Sequence, residues 1–100
     1  MAMTPEKKVK TKITKILDAH NVYHFSPFMA GMGRAGIPDI IACCDGHFLA
    51  IEAKAGTNKP TELQLRELKK IDVAGGCAMV VNEHNLDELV STINELRGSL

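Results

Sequence analysis

Gly36-Ile37-Pro38-Asp39-Ile40-Ile41-Ala42-Cys43-Cys44-Asp45-Gly46-His47-Phe48-Leu49-Ala50-Ile51-Glu52-Ala53-Lys54 reads as two short apolar strands joined by Asp45-Gly46. Asp-Gly between apolar runs is a strong hairpin signal, because a type I′ turn needs positive φ at both central residues. With those two residues as the loop, Cys44 faces His47, and the same count sets Asp39 opposite Glu52. Directly opposed residues hold their Cβ atoms about 4.5–5.5 Å apart. Lys54 lies two residues beyond Glu52, so the pleat returns it to the same face.

Two facing carboxylates repel, and the pair is destabilising unless a shared proton or a cation compensates. Mg²⁺ takes oxygen ligands, typically one or two carboxylates completed by waters and substrate phosphates. A lysine beside such an ion can hold a water, or deprotonate it as the neutral amine, and as the ammonium stabilise charge on a phosphoryl oxygen. The plainer reading is a hairpin whose Glu and Lys sit solvated at its rim. Pro38-Asp39 at matching register favours the functional one.

Pro38-Asp39 followed by Glu52-Ala53-Lys54 resembles the PD-(D/E)xK nucleases of the restriction-endonuclease-like fold. Gly36-Ile37-Pro38-Asp39, Glu52-Ala53-Lys54-Ala55-Gly56 and the later Gln64 resemble more narrowly the VRR-NUC branch, stand-alone phage or bacterial type. The resemblance covers essentially the whole chain. It implies an α/β three-layer core: a mixed four-stranded sheet flanked by helices, in the order α-β-β-β-α-β-α. It also implies a metal-dependent endodeoxyribonuclease. Asp39, Glu52 and the backbone carbonyl of Ala53 would bind Mg²⁺ or Mn²⁺, with Glu6 as a direct or water-mediated ligand. Lys54 would activate the attacking water, and Gln64 would position Lys54 or the phosphate. The expected partner is DNA, branched DNA such as Holliday junctions above all, cut by a homodimer without a nucleotide cofactor. The rival reading is a nuclease-fold module that only binds nucleic acid or assembles a complex. A small-molecule enzyme ranks third, for want of a second domain to build a deep pocket.

One hundred residues make one domain, 1–100, with one modest core. Net charge is zero, which excludes a uniformly basic nucleic-acid binder. The charge is uneven, however. Lys7, Lys8, Lys10, Lys12 and Lys15 crowd the first helix, whereas Asp72, Glu83, Asp87, Glu88 and Glu95 face only Arg97 towards the end. That permits a basic face on a neutral protein, although a lysine-rich helix face can equally be mere solvation. Cys43, Cys44 and Cys77 have no metal-ligand spacing and read as small buried apolar residues in a reducing compartment. No leader and no apolar run of membrane-spanning length is present, so a cytoplasmic location is expected. His20, His24, His47 and His84 show neither ligand nor triad spacing and read as structural or exposed.

Thr4-Pro5 predicts a helix start, hydroxyl cap followed by proline, and Val9, Ile13, Ile16, Leu17 and His20 form its inward stripe. Glu6 falls on that stripe, either as a first-turn acid favoured by the helix dipole or as the family's acidic residue near the metal. Asn21 ends the helix, and Val22 to Met29 reads as a strand whose Pro27 marks an edge or a bulge. Gly31-x-Gly33-x-x-Gly36 matches a dinucleotide fingerprint formally, but it leads into Pro38 and a strand instead of opening a helix. Arg34 in that connector can approach a phosphate, or the segment is simply flexible.

Thr61-x-x-Gln64 is a capping box opening a second helix, with Leu65, Leu68 and Ile71 as its buried stripe. Gln64 therefore has a structural job as well as the site role the resemblance implies. Gly75-Gly76 ends this helix, and Cys77 to Val81 reads as a strand buried on both faces. Asn85 is expected to cap a last helix that turns Leu86, Leu89, Val90, Ile93 and Leu96 inward and ends at Gly98.

Overall fold

A computed structural model describes residues 3–28 and 35–98. Met29, the Gly31–Gly33 pair and Arg34 lie outside them, so the Arg34 reading has no structural counterpart here. Helix α1 spans Pro5–Ala19, and Thr4 caps it by accepting a hydrogen bond from Lys7 N at 3.2 Å. Val9, Ile13 and Leu17 are its buried stripe, with Ile16 and His20 half-buried. Asn21 ends the helix at φ 55°, a left-handed residue of the kind that closes helices, while Val22 N donates back to Leu17 O at 2.9 Å.

Strand β1 (Tyr23–Phe25) is much shorter than the expected Val22–Met29 run and forms one edge of the sheet. Strands β2 (Ile40–Cys44) and β3 (His47–Ala53) form the expected hairpin. Asp45 and Gly46 both have positive φ, 50° and 88°, as a type I′ turn requires. Cys44 pairs with His47 and Ile40 with Ile51, so the register is the one counted from the sequence.

After helix α2 (Glu62–Val73), strand β4 (Cys77–Val81) returns parallel to β3, and helix α3 (Leu86–Leu96) closes the fold. The sheet order β1-β2-β3-β4, antiparallel except for the last pair, is the mixed four-stranded arrangement expected. One face (Ile40, Ala42, Cys44, Leu49, Ile51, Ala53 and Val81) packs with Val9, Ile13 and Leu17 of α1 and Leu89 and Ile93 of α3 into a single core. The other face carries α2 over β3 and β4. Among the described residues no helix is long and apolar enough to cross a membrane.

Four local expectations change. β4 is not buried on both faces: it is the second sheet edge, and only Val81 is fully buried. α2 turns Gln64, Glu67, Leu68 and Ile71 towards the sheet and leaves Leu65 53% exposed. Its hydrogen bonds to the sheet and to its own cap set that rotation, and a propensity stripe cannot see them. Asn85 stands at the head of α3 without capping it. Its Oδ1 accepts from Asn82 N at 2.7 Å and its Nδ2 donates to Val80 O at 3.0 Å, bracing the β4–α3 turn instead. Cys43 is exposed, because α2 stops short of the β1–β2 half of the sheet; Cys44 is buried and Cys77 half-buried.

Candidate active site

The chain reaches the site through Gly36, whose φ of +85° favours glycine. A Cβ there would lie 2.6 Å from the backbone oxygen of Leu63 in the first turn of α2. Gly36 thus lets the segment leading into β2 run directly against the head of α2. Buried Pro38 follows, and Asp39 stands one residue before β2, where the β2–β3 register continues across to Glu52. Asp39 Oδ2 accepts a hydrogen bond from Ala53 N at 2.8 Å, which fixes its carboxylate against the end of β3.

Glu52 is only 2% exposed, as deeply buried as the core beside it. Its Oε2 accepts from Gln64 Nε2 at 3.0 Å, and Lys54 Nζ lies 3.7 Å from the same oxygen. Its Oε1 is buried and has no hydrogen-bond partner among the described residues. Burial first, and then the facing Asp39 carboxylate, push the Glu52 carboxyl up to about 8; Lys54 opposes the shift and Glu6 adds to it. The site therefore holds a proton near neutrality where a cation could sit.

Lys54 is held from three directions. Its backbone N donates to Val81 O at 3.0 Å, and its Nζ lies between Glu52 Oε2 and Glu6 Oε1, the latter 3.9 Å away. Glu6 reaches the site from the first turn of α1, as its place on the inward stripe implied. Gln64 holds both of its jobs at once. Oε1 accepts from Thr61 N at 2.8 Å to complete the capping box, while Nε2 grips Glu52. The two ends of one amide, acceptor and donor, make this possible.

The structure thus brings Asp39, Glu52, Lys54, Gln64 and Glu6 to one end of the sheet. Among the described residues, no three His, Cys, Asp or Glu side chains converge into a preformed metal cage. Two carboxylates, one with an unpartnered buried oxygen, suit a hard divalent cation that completes its shell with backbone carbonyl, water and phosphate. The residues present fit such an ion.

One residue near the site carries no motif. Both carboxylate oxygens of Glu83, in the β4–α3 turn, accept from Gly56 N, at 2.9 and 3.1 Å, and so tie down the loop that follows Lys54. Hydrogen bonds from its own N–H and from Gly56 hold its carboxyl below the usual range. Nothing in the local sequence signals this clamp, since the partners are far apart in the chain.

The fold is that of VRR-NUC domain proteins. Two solved structures agree on the fold. One, described as "VRR_NUC domain", superposes with a TM-score of 0.73 at 24% identity, covering 89% of this chain and 97% of its own. Another, "VRR_NUC domain protein", gives 0.70 at 21% identity over 95% and 89%. No family model matches the chain. Among curated proteins, "Putative nuclease p44" of Acyrthosiphon pisum secondary endosymbiont phage 1 is 33% identical over 63 residues, 62% of this chain and 68% of that protein. The chain belongs to the same family, the VRR-NUC nucleases.

Proposed function

We propose that this nuclease is a divalent-metal-dependent, structure-selective DNA endonuclease that acts on branched DNA, Holliday junctions above all. The observation carrying the metal dependence is Glu52: a buried carboxyl facing Asp39, whose Oε1 has no hydrogen-bond donor among the described residues. Asp39, Glu52 and the Ala53 carbonyl would hold Mg²⁺ or Mn²⁺, with Glu6 contributing directly or through water. Bound there, the ion supplies Lewis acidity to the scissile phosphate.

The chain's own groups do the rest. Asp39 is fixed by Ala53 N, and Gln64 fixes one oxygen of Glu52, so the donor set is oriented before substrate arrives. Lys54 Nζ, only 12% exposed in its side chain and flanked by Glu52 and Glu6, holds the attacking water and takes or shares its proton. The five lysines of α1 offer charge for the phosphate backbone.

Branched substrates follow from size. Among the described residues the sheet, α1 and α3 are committed to one core and α2 to the opposite sheet face, which favours recognition through backbone shape and charge. One site cuts one strand, and paired cuts are simplest in a C2 homodimer. The proposed place of action is the cytoplasm of a bacterial host. Strand-labelled cleavage of linear, flap and four-way DNA, with and without Mg²⁺ or Mn²⁺, tests this, alongside sedimentation of the purified protein. Paired nicks in the junction by a dimer are expected. A monomer that cuts linear duplex as readily as the junction overturns the resolvase reading and leaves the nuclease chemistry standing.

A further inference from the structure

The sheet face that carries the catalytic carboxylates does not end under α2. Side chains alternate along each strand, so Ile41 and Cys43 on β2 share that face with Asp39 just before the strand, and Phe48, Ala50 and Glu52 share it on β3. β1 pairs Phe25 with Ile41 and Tyr23 with Cys43, which adds two aromatic rings to the same face. α2 packs on β3 and β4, and among the described residues the part of the face beyond it is exposed at Tyr23, Phe25 and Cys43. Tyr23 is 69% exposed and Phe25 47%, beside exposed Cys43. No charged side chain interrupts the β1–β2 part of this face between Asp39 and Tyr23.

We infer that Phe25 and Tyr23 form a stacking platform for unpaired bases of the strand whose phosphate enters the active site. The inference rests on the nuclease reading and narrows its substrate to DNA with unstacked nucleotides beside the cut. Three observations carry it. The first is continuity: with a rise of about 3.3 Å per residue and strands about 4.8 Å apart, Phe25 lies roughly 8 Å in the sheet from Asp39. A strand bound at the carboxylates can reach the rings within a nucleotide or two.

The second is spacing. The two ring centroids are 6.3 Å apart and tilted by 57°. That is about twice the ~3.4 Å step of bases stacked in a duplex strand. Successive bases can meet both rings only if the strand is drawn out of duplex stacking, as at a branch point, flap or gap. The third is chemistry. An open, uncharged aromatic surface takes the π-face of any base without reading its edge. It supplies the selectivity for branched DNA that backbone charge alone cannot.

The test crosses ring removal with base removal. Lys54→Ala serves as the common background, so that cutting does not disturb binding. The probes are a short single-stranded oligonucleotide and an abasic strand of the same length, read by fluorescence anisotropy. Phe25→Ala and Tyr23→Ala should each weaken binding of the base-bearing strand by about fivefold or more. Each should change binding of the abasic strand by less than about twofold. Phe25→Tyr and Tyr23→Phe should keep the base-dependent affinity, which separates stacking from damage to β1. Equal losses on both strands, or no loss on either, overturn the platform. Equal losses accompanied by conversion of a dimer to a monomer in sedimentation would assign the face to a contact between copies of this chain. Cleavage of linear DNA by the wild-type chain in Mg²⁺ reports on the nuclease reading separately. A chain that stacks bases but cuts nothing overturns that reading, whereas one that cuts but shows equal losses overturns the platform alone.

Discussion

Over its second half, from Leu49 to Ala53, β3 is buried on both faces, and the two faces do opposite things. Leu49, Ile51 and Ala53 point into the core with no exposed surface, while Glu52 between them is 2% exposed on the other side. On the core face, burial is itself the favourable term, roughly 25 cal/mol per Å² of apolar surface removed from water. On the site face the same burial opposes the charge, and a neighbouring carboxylate worsens it. One strand thus anchors the fold with alternate residues and carries a destabilised functional group with those between. Rigidity comes from the first set, and the poised charge is tolerable because of it.

The largest expected contrast lies in activity. Asp39→Ala, Glu52→Ala and Lys54→Ala should each slow DNA cleavage by roughly a thousandfold or more, as loss of several kcal/mol of charge stabilisation implies. The metal-free carboxylate variants should melt no lower than wild type, because like-charge repulsion goes with the side chain. Single-turnover cleavage read beside calorimetry checks both halves. Near-normal turnover by Glu52→Ala would remove it from the site.

On the opposite face, Ile51→Ala should destabilise by about 2–5 kcal/mol through lost burial and the cavity left behind. Turnover per folded molecule should hold. Denaturant unfolding with activity normalised to the folded fraction reads this. An Ile51→Ala protein that is stable but inactive would mean the two faces are not separable.

pH offers a reversible way to sharpen the comparison. The Glu52 carboxyl titrates near 8 in the folded protein against 4.5 ordinarily, so the folded state holds a proton that the unfolded chain has released. Metal-free stability should therefore be fully present below about pH 4.5 and fall as pH rises through 8, by up to a few kcal/mol. Glu52→Gln should flatten that slope. Mg²⁺ should raise the melting temperature more at pH 8 than at pH 5, because it displaces the proton. A wild-type slope of the opposite sign in that window would contradict the buried acid.

The smallest effect separates the two ends of Gln64. Gln64→Ala should lose about 1 kcal/mol or less of stability with its cap, and should also slow cleavage. Gln64→Glu keeps an acceptor for Thr61 N but sets a carboxylate against Glu52. Its melting temperature should stay nearer wild type while its rate falls. If the rates of both variants track only their stabilities, Gln64 is a cap and nothing more.

Much of this was legible in the sequence, and the legible part is local. Asp45-Gly46 demands a turn with two positive φ values, and that turn alone counts Asp39 across to Glu52 and places Lys54 beside it. Thr4-Pro5 and Thr61-x-x-Gln64 open helices through hydrogen bonds that span three residues. Such features depend on neighbours a few positions away, so residue order is enough to determine them. What tertiary structure decided rests on contacts between distant segments. The rotation of α2, which exposes Leu65 and lets Gln64 hold Glu52, follows from docking on a strand twelve residues back. Gly36 is required by its positive φ and by Leu63 lying against it, and Glu83 matters only because Gly56 lies within reach. The exposure of Cys43, Tyr23 and Phe25 depends on how far one helix extends across a sheet. Burial and charge proximity are properties of the packed molecule, and so the raised pKa of Glu52 came into view only with the fold.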